Sequence, residues 1–253
     1  MSIEEVREIN HKWDEILLQD VKDDLLEADT IWDYEPFSDD YWNQKTKIVL
    51  CNFEQYGYVE KKDGEDRRLT FEKYSKYTNQ AIKYSSLFIY CLYKKLQGEN
   101  INKEQLHALY DDNKEKVLSV VKNITYMNLR KDENLSEGDV NAEVNTVRNY
   151  YEKGKLPYKG YPNVSNECNR EFLRDFIEAL EPDIFIISHE YGYKILNDVY
   201  EGKINLQWQN SYKYKKTLFV SIKHPAARID YYQYIVERTA QIVDDYIKVR
   251  KAI

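Results

Sequence analysis

Short, strongly apolar segments separated by helical patterns are the feature that most constrains how this chain can fold. They lie at residues 47–51, 124–127, 184–188 and 217–222. Apolar strands that alternate with helices indicate a mainly parallel sheet with both faces covered. We therefore expect an α/β fold of three layers, α/β/α, around a mainly parallel central sheet.

Helices are predicted around these strands from the spacing of apolar residues. They are expected at residues 71–96, 100–116, 171–180, 191–200 and 230–249. Residues 3–29 indicate one or two further amphipathic helices. We expect residues 1–45 to form an N-terminal helical extension that packs on the core, and residues 46–253 to form the α/β domain. The weakly patterned residues 130–169 are typical of a functional lid or of a disordered loop.

Charge is distributed unevenly along the chain, which bears on the partners it can bind. The net charge is −7, and residues 1–66 hold 19 acidic and only 7 basic residues. Residues 203–229 contain no acidic residue but several basic ones, namely Lys203, Lys213, Lys215, Lys216, Lys223 and Arg228. Such a segment can bind a polyanion although the whole chain is acidic, and it is equally typical of a solvated surface.

Other classes of protein are disfavoured by features that the sequence lacks. The three cysteines are odd in number and do not have the spacing of metal ligands. No apolar run reaches the roughly 18 residues of a membrane span, and the acidic first residues do not resemble a signal peptide. We expect a cytoplasmic monomer that has no membrane contact and needs no cofactor or metal ion.

Polar side chains follow three of the predicted strands. Asn52 ends the first strand, Asn128 ends the second, and His224 comes directly after the last. Ligands of open parallel sheets bind outside the carboxyl ends of the strands. We therefore expect the two carboxamides and the imidazole to line one pocket. The structural alternatives are asparagines that cap turns and a histidine in a turn before a proline.

These strand ends resemble the uracil-DNA glycosylases, and most closely the single-strand-selective monofunctional branch. That branch has Gly-Met-Asn-Pro-Gly-Pro-Phe-Gly after its first strand, where residues 50–57 read Leu-Cys-Asn-Phe-Glu-Gln-Tyr-Gly. Its His-Asn-Leu corresponds to Met-Asn-Leu at residues 127–129. Its His-Pro-Ser-Pro-Arg corresponds to His-Pro-Ala-Ala-Arg at residues 224–228. Order and spacing match over roughly residues 45–250.

The resemblance implies an enzyme that hydrolyses the N-glycosidic bond of uracil or a modified base in DNA. His224 would donate to the uracil O2, where negative charge develops as the base departs. Asn52 would position the attacking water. Asn128 would accept from the N3–H of the flipped base and donate to its O4.

Further residues acquire roles from the same resemblance. Tyr56 and Tyr58 would stack on the base, although core packing is the alternative for Tyr58. Arg228 would insert into a DNA duplex. The neighbouring lysines would contact phosphates of single- or double-stranded DNA, which position the protein without reading sequence; they are Lys215, Lys216 and Lys223.

The chain also departs from the family pattern near the expected pocket. Phe53 and Glu54 replace Pro-Gly, which brings a ring and a carboxylate to the substrate. Glu54 would act as a base on water or repel phosphate. Ala226 and Ala227 lack the hydroxyl and the proline of the family loop. Two alternatives to catalysis are an inactive protein that binds a nucleobase or nucleotide, and a protein-interaction module whose acidic N-terminal region binds a basic partner or mimics DNA.

Overall fold

Five strands form one mixed sheet. A computed structural model of the protein describes residues 3–22, 35–52, 70–76, 80–128, 167–188, 192–225 and 229–251. Its strands are β1 (Ile48–Asn52), β2 (Thr125–Asn128), β3 (Ile184–Ser188), β4 (Ser211–Tyr214) and β5 (Thr217–Ile222). Their order is β2-β1-β3-β5-β4. All neighbouring pairs are parallel except β4 with β5. The prediction of an α/β fold with a mainly parallel sheet is confirmed.

The four parallel strands are buried along their entire length. Strands covered on both faces lose the alternation of apolar and polar residues, which explains the continuous apolar runs in the sequence. Neighbouring side chains pack across the sheet, as Phe185 of β3 and Phe219 of β5 do with ring centroids 5.5 Å apart. The sheet is therefore the centre of the hydrophobic core.

Eight α-helices accompany the sheet within the described ranges. They are α1 (Ile3–Lys22), α2 (Phe71–Lys76), α3 (Gln80–Leu96), α4 (Lys103–Asp112), α5 (Lys114–Val121), α6 (Glu167–Leu180), α7 (Gly192–Val199) and α8 (Tyr231–Lys251). One group, α3, α4, α5 and α8, is connected by mutual contacts, and α6 contacts both α1 and α7. From the first group, α8 contacts β4 and β5, and from the second, α7 contacts β3.

The observed helices differ from the predicted ones in two places. The helix predicted over residues 71–96 is described as two helices, α2 and α3. The helical piece expected at 100–116 is also two helices, because Asn113 leaves the helical conformation with φ −148° and ψ 49°. The second of these, α5, continues through Val121 and ends shortly before the strand predicted at residues 124–127. Short apolar runs fit a buried helix as well as a strand.

The edge strand β4 was not predicted. Its residues are partly buried or exposed, so it lacks the apolar run that marks the other strands. It forms a hairpin with β5 through Lys215 and Lys216, and Lys215 adopts a left-handed φ of 51°. This conformation is uncommon for a residue other than glycine, so the turn has no simple sequence signature.

The described parts of the N-terminal region pack on the core. Trp13 of α1 is buried and stacks on Phe172 of α6, with ring centroids 6.2 Å apart. The Tyr41 hydroxyl donates to the Leu180 carbonyl oxygen at 2.9 Å. Pro36 forms an isolated antiparallel bridge to Thr125 of β2. The segment before β1 therefore belongs to the same core as the sheet.

A buried arginine, Arg238, connects α8 to the hairpin of β4 and β5. Nη2 of Arg238 donates to the carbonyl oxygens of Asn210 at 3.0 Å and Ser221 at 3.2 Å. Nη1 donates to Oε1 of Gln241 at 3.1 Å. The guanidinium thus supplies donors to backbone groups at the start of β4 and near the end of β5.

Replacing Arg238 with Met should destabilise the fold. Two backbone carbonyls would lose a charged donor, so we expect the free energy of unfolding to fall by about 2–4 kcal/mol in urea denaturation. Arg250→Met, at an exposed position of the same helix, should change it by only about 0.5 kcal/mol. Equal effects of the two substitutions would contradict the assigned role of Arg238.

Candidate functional site

The carboxyl ends of the parallel strands meet at one edge of the sheet. Asn52, the last residue of β1, is in register with Asn128 of β2 and with Ser188 of β3. Ser188 is in turn in register with Ile222, the last residue of β5, which lies two residues before His224. In-register residues of parallel strands project from the same face. Asn128, Asn52 and Ser188 therefore form a polar row across three adjacent strands.

The three residues predicted from the sequence are not equally close to one another. Asn52 and Asn128 end neighbouring strands. The strand that leads to His224 is two strand spacings from β1, or about 10 Å, and three from β2, or about 14 Å. The sheet thus brings the two asparagines side by side and leaves the histidine farther along the same edge.

The Asn52 amide is enclosed and has a partner at each end. The residue is only 3% exposed. Its Nδ2 donates to the Tyr126 hydroxyl at 2.6 Å, and its Oδ1 accepts a hydrogen bond from the Ser188 hydroxyl. The structure thus gives the amide two hydroxyl partners from the neighbouring strands. The role predicted from the sequence, that Asn52 faces a bound base and water, stays a prediction.

The Tyr126 ring is itself held by other aromatic rings. It stacks on Phe37, with centroids 6.3 Å apart, and lies 4.9 Å from the Tyr74 ring. The Tyr74 hydroxyl forms a 3.0 Å hydrogen bond with the Ser86 hydroxyl, and burial raises the pKa of Tyr74 well above its ordinary value. Tyr126 therefore presents its hydroxyl to Asn52 from a fixed position.

Sequence reasoning did not identify Tyr126 or Ser188 as site residues. A usable signal existed for each. Tyr126 lies two positions before Asn128 and so shares its face of β2. Ser188 is the polar last residue of β3, the strand between β1 and β5. It lies at the same edge of the sheet as Asn52.

Asn128 is fully buried, as the last residue of β2. A buried amide needs hydrogen-bonding partners, which restrict its rotation. The role predicted for Asn128 in reading a base stays a prediction.

His224 follows a backbone position that two tyrosines fix. The Lys223 N–H donates to the Tyr234 hydroxyl at 2.8 Å, and the Tyr231 hydroxyl donates to the Lys223 carbonyl oxygen at 3.0 Å. Both tyrosines lie in the first turn of α8. Burial lowers the pKa of the His224 imidazole below its ordinary value of 6.5, so the ring is neutral at neutral pH.

The predicted DNA-binding lysines do not lie together. Lys215 and Lys216 form the turn at the amino end of β5, about 20 Å along that strand from the edge with His224. The Nζ of Lys215 is 3.0 Å from Glu178, and that of Lys216 is 2.7 Å from Glu181. Lys223, by contrast, is at the candidate edge, where its Nζ is 5.4 Å from the centroid of the Tyr234 ring.

The remaining predicted site residues lie outside the described ranges, and their roles stay predictions. They are Phe53, Glu54, Tyr56, Tyr58 and Arg228. Residues 130–166, which form most of the predicted lid or disordered loop, lie outside these ranges too.

Comparisons with known proteins assign no family to the chain. No protein-family model matches it, and no curated protein is significantly similar to it. In the part of the chain that the structure describes, no three His, Cys, Asp or Glu side chains are grouped so that they could hold a metal ion. Across the same residues, no helix is both long enough and apolar enough to cross a membrane.

The lowered pKa of His224 predicts how stability depends on pH. Below about pH 6.5 the unfolded chain binds a proton at this imidazole more readily than the folded protein does. The contribution of His224 to stability is therefore complete above that pH. It is lost as the pH falls through the lower pKa that His224 has in the folded protein. Urea unfolding from about pH 7 to about pH 5 should show a steeper loss for the wild-type protein than for His224→Gln. Parallel curves would contradict the burial of this ring.

Proposed function

We propose that the protein is a DNA glycosylase that hydrolyses the N-glycosidic bond of uracil or a modified base in DNA. The observation that carries the proposal is the strand register. It sets Asn52 beside Asn128 at the same sheet edge at which His224 follows β5. This is the edge at which open parallel sheets bind ligands. Asn52, Asn128 and His224 are also the residues in which the sequence resembles the glycosylases.

Recognition of the base is the role proposed for Asn128. An amide offers uracil an acceptor for N3–H and a donor for O4, whereas cytosine needs the opposite pattern. Discrimination requires an amide that cannot rotate, because a rotated amide would accept cytosine. A base read in this way must leave the DNA stack, because its Watson–Crick edge is otherwise paired.

Stabilisation of the departing base is the role proposed for His224. Breaking the glycosidic bond leaves positive charge on the sugar and negative charge on the base. A donor directed at the base oxygen stabilises that charge and is typically worth about 10²–10³ in rate. The lowered pKa supports a neutral imidazole, which donates one N–H without carrying a charge of its own.

A second candidate function is supported by the enclosure of Asn52. Its amide is engaged by Tyr126 and Ser188, and a residue that orients an attacking water needs access to that water. An inactive relative of the glycosylases would use the same edge to bind a nucleobase, a nucleotide or a protein partner. Such a protein would bind without cleaving.

An excision assay separates the two functions. Single- and double-stranded oligonucleotides that carry uracil, hydroxymethyluracil, hypoxanthine or a larger adduct would be incubated with the protein and tested for abasic sites. We expect excision from at least one of them, and a rate lowered by about 10²–10³ in His224→Gln. His107→Gln, at an exposed histidine on α4, serves as the matched control and should keep the wild-type rate.

Failure of this assay would be informative in two ways. A wild-type protein that binds free nucleobases or oligonucleotides but excises nothing would support the second function. A protein that does neither would leave no role for the sheet edge in nucleobase chemistry, so both the glycosylase function and the binding of a nucleobase or nucleotide would be rejected.

DNA binding should depend on Lys223 rather than on the lysines of the β4–β5 turn. Lys223 lies at the candidate edge, whereas Lys215 and Lys216 are paired with glutamates at the other end of the sheet. We expect Lys223→Gln to reduce the slope of log affinity against log salt concentration by about 0.7–0.9, the effect of one lost phosphate contact. The double variant of Lys215 and Lys216 should keep the wild-type slope. A reduced slope in that double variant would show that the β4–β5 turn contacts DNA.

A further inference from the structure

A hydrogen-bonded group of three side chains crosses three adjacent strands at the candidate edge. The Tyr126 hydroxyl on β2, the Asn52 amide on β1 and the Ser188 hydroxyl on β3 are joined by two hydrogen bonds. We propose that Tyr126 and Ser188 are positioning residues that hold the Asn52 amide in a single orientation for its part in base excision. This inference rests on the proposed function.

The two hydroxyls define the plane and the direction of the amide. Tyr126 accepts from Nδ2 on the side of β2, and Ser188 donates to Oδ1 on the side of β3. The donor end of Asn52 is thereby directed toward the strand that carries Asn128. The acceptor end is directed toward the strands that lead to His224. A free amide would exchange these ends by rotation about its last torsion.

Each end of the amide retains one group with which to bind a ligand. Nδ2 has a second N–H, and Oδ1 has a second lone pair. These are the groups through which Asn52 would bind the attacking water or a polar edge of the base. Donors and acceptors that are already oriented cost no reorganisation during the reaction, which is the advantage of preorganised polar groups.

Both positioning residues are themselves fixed by the core. Tyr126 packs against both Phe37 and Tyr74, so its hydroxyl has little freedom to move. Ser188 is fully buried and sits at the end of a strand that is paired on both sides. The Asn52 amide is therefore anchored to the neighbouring strands through two side chains of restricted mobility.

Hydroxyl deletions test the inference with little change in shape. Tyr126→Phe and Ser188→Ala each remove one partner of Asn52. Tyr74→Phe is the matched control, because it removes a buried hydroxyl of the same aromatic cluster that bonds to Ser86 instead. Single-turnover excision would be measured over a range of oligonucleotide concentrations.

The expected result is a loss of rate without a loss of substrate affinity. Misplacement of a polar group that acts on the reacting atoms should slow excision by about 10-fold to 10²-fold in Tyr126→Phe and in Ser188→Ala. The concentration for half-saturation should stay within about twofold of the wild-type value, as expected for an interaction made chiefly in the transition state. Tyr74→Phe should keep the wild-type rate. In an Asn52→Ala background, both deletions should have no further effect.

Other outcomes separate this inference from the proposed function. If the wild-type protein excises a base and the two deletions slow it no more than Tyr74→Phe does, the inference is overturned and the proposed function stands. If the wild-type protein excises no base, the proposed function and the positioning role in excision are both rejected, and unfolding measurements decide only whether Ser188 holds the Asn52 amide.

The unfolding test compares Asn52→Ala, Ser188→Ala and the double variant. Each single substitution leaves a buried polar group without its partner and should lower the melting temperature by about 2–8 °C. The double variant should fall by clearly less than the sum, because the two substitutions remove the same interaction. Additive shifts would show that Ser188 does not hold Asn52.

Discussion

The in-register pairing of β1 with β2 on one side and β3 on the other is the constraint on which the rest of the structure depends. It satisfies the backbone of a strand that is buried on both faces. A slip of one residue in β1 would move every side chain to the opposite face. Asn52 would then lose both Tyr126 and Ser188. The pairing that builds the core is thus the same pairing that places the polar row at the edge.

The strands were predictable where burial on both faces removes polar residues, and the candidate edge was predictable because Asn52, Asn128 and His224 interrupt or follow those apolar runs. The partners of Asn52 were not. Tyr126 is 74 residues away from it and Ser188 is 136 residues away. Their hydrogen bonds depend on which strands become neighbours, and no local pattern encodes that order.

The sequence shows how many basic residues a segment contains, but it does not show which acidic side chains lie near them in the folded protein. The acid-free segment 203–229 suggested a basic surface, yet three of its lysines are near glutamates that lie outside the segment. Lys203 pairs with Glu201, just before the segment, while the two lysines of the β4–β5 turn pair with glutamates at the end of α6 and just beyond it. Ion pairs between exposed side chains stabilise little, but they lower the positive potential that a polyanion would meet.

The antiparallel bridge of Pro36 has a consequence for association between molecules. It covers part of the free edge of β2, where unpaired backbone groups would otherwise offer a template to a strand of another chain. The backbone N–H of the adjacent Phe37 donates to the Ile124 carbonyl oxygen at 3.1 Å. A proline has no N–H to offer in its turn, so the covering segment is a poor template itself. The segment before β1 thereby limits the pairing of β2 with a strand of another molecule.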